Sequence, residues 1–364
     1  MHLTLVGPVY PYRGGIAHFT TALAHALKER HTVRVISYQR QYPKWLYPGQ
    51  TDHDPSLQPQ TVEAEYLLDS LKPLSWRRTA KSIISHGTDM VIMQWWTTFW
   101  APANFTIGHI LRKANIPLVY IVHNVLPHET KIWDAAITYR TLTKATKLLA
   151  LSVQEQQRLQ AMFPQSTVLY APLPVSAPAS QSHVTKVEAR SHLGLPASER
   201  IVLFFGFVRP YKGLMLLLQS LAYLRQQGAP IHVLVAGEFW EDIAPYIRYV
   251  QEHGLQKHVT LHAEYIPNER LSLYFAAADA FAAPYTSATQ SSALKTAMRF
   301  GLPIAATDTA LDRSEVPQSY PLFFASANDI HGFATALSKA VSAPRGHIDH
   351  RLTWQRLVQV LETM

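Results

Sequence analysis

The chain has 364 residues and a formal net charge of +8; hydrophobic residues make up 48% of it, and it contains no cysteine. This length is too great for one typical core and predicts two α/β domains of about 150 to 180 residues each. The lack of cysteine excludes disulfides and thiolate chemistry, and no apolar run is long enough to span a membrane, so we expect a cytoplasmic protein without a secretion signal.

The first 170 residues alternate between apolar strands and helical periodicity, which is typical of a doubly wound parallel sheet. Between the first strand and the first helix lie Gly14 and Gly15, where a backbone without side chains can approach a ligand closely or simply turn. A dinucleotide fingerprint is absent, which disfavours a dehydrogenase. The predicted strands are residues 2–6, 33–37, 89–93, 117–122, 147–151 and 167–170, the predicted helices are residues 16–28 and 103–114, and residues 39–60 form a long loop.

Residues 72–84 mix basic and apolar side chains at helical spacing. The basic side chains are Lys72, Arg77, Arg78 and Lys81, and the apolar ones include Leu74, Ile83 and Ile84. Such a helix can lie on an anionic membrane, here the inner face, although a solvated helix face has the same pattern. The chain lacks zinc-finger spacing, RNA-binding aromatic signatures and long basic blocks, so we expect no nucleic acid partner.

A segment rich in Pro, Ala and Ser at residues 171–182 marks the predicted domain boundary. A second alternating series follows, with strands predicted at residues 201–205, 232–236, 258–261, 280–283 and 303–306. We therefore predict an α/β protein with two doubly wound, Rossmann-like domains. Their predicted ranges are 1–172 and 199–345, with a linker at 173–198 and a C-terminal segment at 346–364 that contains a last helix near residues 350–361.

Two cations stand at the junction between the first strand of the second domain and the next helix. Arg209 and Lys212 follow Gly206, and the helix that comes after them has leucines at helical spacing. Open parallel sheets bind ligands at the carboxyl ends of their strands, and a helix start adds free N–H groups and a positive dipole end. We expect both cations to face an anion; two solvated cations on a loop are the plainer alternative.

This junction resembles the start of the donor-binding domain of GT-B glycosyltransferases, in particular the retaining group called family 4. The resemblance implies two domains that face a central cleft, with Gly206, Arg209 and Lys212 holding the diphosphate of a nucleotide-sugar. Negative charge grows on that diphosphate as the glycosidic bond breaks, so fixed cations stabilise the transition state most. The commoner family pattern has arginine directly after the glycine, where this chain has Phe207. The resemblance also implies that the last helix, with Trp354, packs back on the first domain.

The same resemblance assigns roles in the first domain. Gly14 and Gly15 would approach the phosphates and sugar of the donor. His123, at the end of the predicted strand 117–122, would lie beside the transferred sugar and polarise it. His128 and Glu129 follow and could assist the acceptor, or cap the next helix.

The strongest departure from the family lies at residues 283–303. The family usually has two glutamates there, separated by seven residues, which contact the sugar and the ribose. Those positions fall on Ala288 and Thr296, so both carboxylates are missing. Gln290, Ser291 and Ser292, at a predicted helix start, and Thr296 are left to bind hydroxyls of the donor.

Two further segments concern the nucleobase and metals. Tyr265 and Ile266 follow a strand where similar enzymes hold the base, although a core position suits them equally. Asp52, His53 and Asp54 superficially match the metal-binding triplet of the other glycosyltransferase fold, but they lie in a Pro- and Gln-rich loop and are interpreted as surface. We expect no metal and no cofactor besides the nucleotide-sugar substrate.

These observations predict a retaining glycosyltransferase that moves a hexose from a nucleoside-diphosphate sugar to a hydroxyl of a sugar or lipid-linked acceptor, such as a glycolipid or polysaccharide precursor. Two alternatives stay open. The missing glutamates fit a non-catalytic nucleotide-sugar-binding protein, and a GT-B epimerase would convert the nucleotide-sugar without any acceptor.

Overall fold

The computed structural model of the protein describes residues 1–47, 49, 51–127, 131–174, 184–287, 291–348 and 350–363. The chain divides into two compact units. Unit 1 comprises Met1–Asp54, Pro59–Pro174 and Arg351–Met364, and unit 2 comprises Pro55–Gln58 and Val175–His350. No helix among the described residues is both long and apolar enough to cross a bilayer.

The strands and helices alternate along both units. The strands are β1 (His2–Val6), β2 (Thr32–Arg40), β3 (Glu65–Asp69), β4 (Met90–Trp95), β5 (Leu118–Val122), β6 (Lys147–Ala150), β7 (Val168–Tyr170), β8 (Arg200–Phe205), β9 (Ile231–Ala236), β10 (Val259–His262), β11 (Ala280–Ala283), β12 (Ile304–Thr307) and β13 (Leu322–Ala325). The helices are α1 (Gly15–Lys28), α2 (Pro73–Ser85), α3 (Ala101–Lys113), α4 (Asp134–Leu142), α5 (Val153–Met162), α6 (Lys186–His192), α7 (Leu214–Gln226), α8 (Ala244–Glu252), α9 (Leu271–Ala277), α10 (Ser292–Arg299), α11 (Ile330–Ser342) and α12 (His350–Glu362).

The sheet of unit 1 is parallel, with the strand order β3-β2-β1-β4-β5-β6-β7. The central strands β4 and β5 are buried along their whole length, because helices cover both faces and leave no solvent side that would call for polar residues. The strand order reverses between β1 and β4, and such a switch point opens a crevice at the carboxyl ends of the strands. The sequence did not predict β3, a short edge strand with an acidic residue at each end.

Unit 2 contains a second parallel sheet, with the order β10-β9-β8-β11-β12-β13. Its order reverses between β8 and β11, so the carboxyl ends of these two strands flank the corresponding crevice. The two sheets with flanking helices confirm the predicted doubly wound α/β class.

The C-terminal helix α12 belongs to the core of unit 1. Its residues Leu357, Val358 and Leu361 are buried in the same apolar cluster as Phe19 of α1. The ring of Trp354 lies 5.6 Å from the ring of Phe19. Helix α12 therefore covers the face of the sheet that α1 also covers.

Residues 184–198, which the sequence analysis places in the linker 173–198, fold as part of unit 2. Both Lys186 and Arg190 of α6 reach the carboxylate of Asp279, at 2.7 Å and 2.6 Å. The same carboxylate accepts a hydrogen bond from the backbone N–H of Ile201, at the start of β8. This shared carboxylate ties α6 to the amino-terminal edge of the second sheet.

Candidate active site

The junction between β8 and α7 is a tight turn that only glycine permits. After Gly206 the chain forms a short 3-10 turn, Pro210–Lys212, and Gly213, the N-cap residue of α7, has a φ of 68°. A Cβ atom at Gly213 would lie 1.9 Å from the carbonyl oxygen of Pro284, which follows β11. Since β8 and β11 are neighbours, this close approach brings the chain after β11 against the cationic turn.

Lys212 is a buried cation at this strand end. Its side chain is only 8% exposed, and its Nζ lies 3.4 Å from the hydroxyl of Tyr285 and 4.8 Å from the centre of that ring. Burial lowers the pKa of Lys212; Tyr211 acts against this shift and Arg209 adds to it. Among the described residues no carboxylate approaches Nζ within ion-pair distance. A buried ammonium without a counter-ion is destabilising, so this position suits a bound anion.

Arg209 lies in an aromatic setting at the same strand end. Its Cζ lies 5.5 Å from the ring of Trp240 and 5.9 Å from the ring of Tyr211. Phe207 stacks on Trp240 at 4.3 Å between ring centres, and the ring of Tyr265 lies 6.1 Å from that of Phe207. Arg209 therefore stands two residues after the position at which the family pattern has its arginine. Phe207, which occupies that position, joins an aromatic cluster.

Tyr285 connects Lys212 to the start of α10. The Tyr285 hydroxyl is 3.0 Å from Ser291 Oγ, and this Oγ accepts the backbone N–H of Leu294 at 3.2 Å, as the N-cap of the helix. Burial raises the pKa of Tyr285 to about 12, so its hydroxyl is neutral at physiological pH. Three polar side chains, from the turn after β8, the chain after β11 and the N-cap of α10, thus form one hydrogen-bonded chain.

The other predicted donor residues occupy different environments. Ser292 is the exposed first residue of α10, and the hydroxyl of Thr296 donates to the carbonyl of Ser292 at 2.9 Å, which leaves its lone pairs for a ligand. Ile266 is 4% exposed and lies in an apolar core cluster, so only its main chain can meet a base, whereas Tyr265 is half-buried. Gln290, like Ala288, lies outside the described residues.

Lys295 stands beside the missing carboxylate position but does not face solvent. Its Nζ lies 3.8 Å from Glu315 Oε2, and the two side chains are only 6% and 4% exposed. Burial lowers the pKa of Lys295, and the carboxylate of Glu315 acts in the opposite direction. Lys295 is therefore part of a buried ion pair and not a surface cation.

In unit 1, His123 follows β5 at the carboxyl end of the sheet and is buried. Its Nε2 lies 2.7 Å from Gln94 Oε1 on the neighbouring strand β4, and its ring meets Phe19 edge-on at 4.9 Å. Because a carbonyl oxygen accepts, we assign the hydrogen to Nε2, which leaves Nδ1 as an acceptor. Burial lowers the pKa of His123 to about 3, so the imidazole is neutral at physiological pH.

The two glycines lie at the start of α1 in unit 1. Gly14 is the N-cap residue and Gly15 the exposed first residue, and no side chain caps this helix start. The loop before them pairs with the loop of the acidic triplet, through an isolated antiparallel bridge between Tyr12 and His53. Asp54 is buried, 3.4 Å from His18 Nε2, so its interpretation as surface is wrong.

His128 and Glu129, the predicted acceptor-side residues, lie outside the described residues. Among the residues that the structure does describe, no group of three or more His, Asp or Glu side chains is arranged to hold a metal ion. The structure thus brings together Gly206, Arg209 and Lys212 with Ser291 in unit 2, and it places His123 and the glycine pair separately, in unit 1.

Sequence reasoning missed three residues of these sites. Trp240 lies in the segment after β9, Tyr285 follows β11, and Gln94 is a buried amide inside the apolar strand β4. Gln94 carried a usable signal, because a polar residue inside an otherwise apolar strand needs a partner. The positions of Trp240 and Tyr285, after the carboxyl ends of strands, were also visible, but their contacts with Arg209 and Lys212 were not.

Two family models match the chain, one in each half of the sequence. A family model described as glycosyl transferase 4-like domain matches residues 14–174, and one described as glycosyl transferases group 1 matches residues 199–343. A Bacillus subtilis protein named as a candidate teichuronic acid biosynthesis glycosyltransferase, TuaC, is 27% identical over 219 residues. That match covers 58% of this chain and 51% of the relative, so it spans about half the length of the relative.

Solved structures share the fold across the full chain. The Anabaena protein HepE, solved in complex with UDP-glucose, has a TM-score of 0.72 at 15% identity, with 100% of both chains covered. Sucrose-phosphate synthase from Thermosynechococcus elongatus has a TM-score of 0.69 at 17% identity, with 100% of this chain and 98% of that chain covered. The two doubly wound units and the two family models together define a protein of the GT-B class. The chain belongs to the group 1 glycosyltransferases, which confirms the resemblance seen in the sequence.

Proposed function

We propose that the protein transfers a hexose from a nucleoside-diphosphate sugar to an acceptor hydroxyl, with retention of the anomeric configuration. The observation that carries this proposal is the environment of Lys212. A buried ammonium at the carboxyl end of β8, next to a helix start and without a carboxylate partner among the described residues, has the chemistry of a phosphate site.

In this proposal the cations act mainly on the leaving group. When the bond between the anomeric carbon and the diphosphate breaks, its electron pair moves to the phosphate oxygen, and Lys212 and Arg209 stabilise the new charge. The ammonium is already in a dry, fixed position, so little reorganisation is needed as the charge develops. The same two cations take the part that a divalent ion would otherwise play, and we therefore propose a metal-independent reaction.

His123 acts as a neutral group. With a pKa of about 3 it is not an imidazolium at physiological pH, so it contributes by hydrogen bonding and orientation rather than by charge. Gln94 fixes the ring through Nε2, which leaves Nδ1 to accept a hydrogen bond from a hydroxyl. In a retaining transfer the acceptor hydroxyl arrives on the face that the leaving group vacates, and the protein mainly positions both partners.

The comparisons suggest particular substrates. HepE has been solved with UDP and UDP-glucose, and the Bacillus subtilis relative is named for teichuronic acid biosynthesis. We propose by analogy a nucleotide-sugar donor, with UDP as the first nucleotide to test. We propose a polysaccharide or lipid-linked precursor as the acceptor.

We also propose that the protein works in the cytoplasm, at the inner face of a membrane, with helix α2 as the docking face. The exposed surface of α2 carries Leu74, Arg77, Arg78 and Lys81 at helical spacing, and no carboxylate among the described residues pairs with these three cations. A cavity of about 620 Å³ beside the first turns of α2 is lined by Leu74, Arg78 and the exposed Leu71. Exposed leucines beside unpaired cations suit an anionic bilayer surface.

A thermal-shift panel tests the donor site. UDP, GDP and ADP, with and without their sugars, are added to the wild type, to Lys212→Ala and to Lys339→Ala, which removes an exposed lysine of α11 in the same unit. We expect one nucleotide series to raise the melting temperature of the wild type and of the Lys339 variant, because a ligand stabilises the state that binds it. Lys212→Ala should lose that rise. If no nucleotide stabilises the wild type, the donor-site proposal is wrong.

Product analysis separates the proposal from its two alternatives. A transferase releases the nucleoside diphosphate. Release is fast when an acceptor is present and slow when water takes the place of the acceptor. A non-catalytic binding protein, which the missing glutamates would fit, gives a thermal shift without any release. An epimerase converts the nucleotide-sugar into its isomer with no diphosphate released.

A further inference from the structure

Three side chains from distant parts of the sequence form one hydrogen-bonded line at the donor site. They are Lys212, Tyr285 and Ser291, at 3.4 Å and 3.0 Å between successive polar atoms. We infer that Tyr285 is a positioning residue of the donor site, which aims the ammonium of Lys212 and leaves the hydroxyl hydrogen of Ser291 to donate to the diphosphate. This inference rests on the proposed donor site, and it adds a positioning role for Tyr285 to the roles of Lys212 and Arg209.

The direction of the hydrogen bonds follows from elementary donor rules. An ammonium has three hydrogens and no acceptor, so Lys212 must donate to the oxygen of Tyr285. We assign the hydrogen of Tyr285 to Ser291 Oγ, because the Tyr285 oxygen already accepts from Lys212 and Ser291 Oγ is the only other partner of this hydroxyl among the described residues. Ser291 Oγ also accepts the N–H of Leu294, so both of its lone pairs are used.

One hydrogen is left over in this arrangement. The hydroxyl hydrogen of Ser291 points to no acceptor among the described residues, and two hydrogens of the ammonium are likewise uncommitted. An oxyanion supplies the acceptors that these donors lack. Since Ala288 and Thr296 replace the carboxylates of the family, no carboxylate at those two positions competes with the ligand for these donors.

The burial of Tyr285 makes the line rigid. Tyr285 is 1% exposed, its ring also faces the ammonium, and the carbonyl of Pro284 beside it presses against Gly213. One N–H of the ammonium is therefore held on the Tyr285 hydroxyl, which orients the other two, and the start of α10 is tied to the same hydroxyl. A bound diphosphate would contact the cation and the helix N-cap as one preformed unit.

The charged state of Lys212 gives the inference a measurable signature. The groups that face its ammonium are Tyr285 from the chain after β11, and Arg209 and Tyr211 from its own turn. A hydrogen bond accepted by Tyr285 favours the charged form, so its loss lowers the pKa of Lys212 further than burial already does. Binding of a diphosphate needs the charged form, so affinity is lost as pH rises through that pKa.

The experiment uses the whole 364-residue chain and inorganic pyrophosphate. Pyrophosphate carries no nucleobase, so its binding tests the cationic site independently of base recognition. Calorimetric titrations from about pH 7 to about pH 10 compare the wild type with Lys212→Ala, Tyr285→Phe and Ser291→Ala. The matched control is Tyr320→Phe, which removes another buried hydroxyl of unit 2, bonded to the carbonyl of Leu302 at 2.8 Å. Melting temperatures of all variants report whether each one folds.

We expect Tyr285→Phe to bind pyrophosphate about tenfold more weakly and to lose binding at a lower pH than the wild type. Ser291→Ala should weaken binding without moving that pH, because Tyr285 still holds the ammonium. Tyr320→Phe should lower stability and leave both binding properties unchanged.

The possible failures are distinguishable. If the wild type binds neither pyrophosphate nor any nucleotide, the proposed donor site fails. If the wild type binds, Lys212→Ala does not, and Tyr285→Phe behaves as the wild type at every pH, the role of Tyr285 is refuted while the donor site stands. A shift of the same size in Tyr320→Phe would also refute it, because the effect would then be a general one of stability.

Discussion

Substitution of Gly213 by alanine tests whether the close approach at the cationic turn is required for both stability and donor binding. Gly213 has a φ of 68°, and its missing Cβ would lie 1.9 Å from the carbonyl oxygen of Pro284. A Cβ does not normally approach another heavy atom closer than about 3.0 Å, so the chain after β11 would have to move by more than an ångström.

Two contributions set the magnitude. Alanine in the left-handed conformation costs about 1 kcal/mol, and forcing extra volume into a packed contact costs about 1 to 3 kcal/mol. We therefore expect Gly213→Ala to lower the free energy of unfolding by about 2 to 4 kcal/mol. Gly228 provides the control, because its φ is 76° and nothing lies within 4 Å of its missing Cβ. Gly228→Ala should show the conformational cost alone, about 1 kcal/mol.

The same substitution should also affect the proposed donor site. Moving Pro284 carries Tyr285 with it, and Tyr285 holds the ammonium of Lys212. We expect Gly213→Ala to lose most of the thermal stabilisation by nucleoside diphosphate, whereas Gly228→Ala keeps it. Both variants are compared by urea unfolding and by thermal shift with UDP.

Two outcomes would contradict this account. Equal destabilisation by the two alanines would mean that the contact with Pro284 relaxes at no cost. A strongly destabilised Gly213→Ala that still binds nucleotide as the wild type does would mean that the position of the chain after β11 does not control the cation.

Two further predictions concern unit 1. His123 has a pKa of about 3 in the folded chain and about 6.5 in the unfolded chain. As pH drops from 6.5 towards 3, the unfolded chain therefore binds a proton that the folded chain does not. The free energy of unfolding falls over this range, by up to ~1.4 kcal/mol per pH unit. His123→Gln should flatten that part of the stability curve, and an unchanged slope in urea unfolding at several pH values would contradict the assigned burial of a neutral imidazole. For the proposed docking face, the double variant Arg77→Glu with Arg78→Glu should abolish sedimentation with anionic vesicles. The control, Lys257→Glu with Lys339→Glu, changes the net charge equally and should leave sedimentation intact. Equal losses of vesicle binding in both variants would point to net charge rather than to α2.

The sequence was sufficient where the relevant information is local. Apolar runs separated by helical periodicity predicted two doubly wound units, because a strand covered on both faces must be apolar along its whole length. The turn from Gly206 to Lys212 was recognisable for the same reason, since a strand, a glycine, two cations and a helix follow one another within a few positions. Short edge elements such as Glu65–Asp69 lack such a pattern and were missed.

Interactions across the sheets were decided by the tertiary structure. Lys212 and Tyr285 are 73 residues apart, and they meet because β8 and β11 are neighbours where the strand order reverses. No periodicity in the sequence predicts which strands become neighbours in the sheet. The partner of His123 on β4 and the residues around Arg209 were hidden for the same reason.

Charge pairing shows the same division. The sequence showed that a lysine occupies position 295, beside the missing carboxylate, but whether it faced solvent or an acid depended on where Glu315 comes to lie. Likewise, Asp54 looked like a surface residue in a polar loop and is buried against the loop before α1. Residue type and spacing determined the fold class and the kind of ligand, because both depend on local patterns. The environment of each charge was decided only by folding, since burial and counter-ions come from residues far away in the chain.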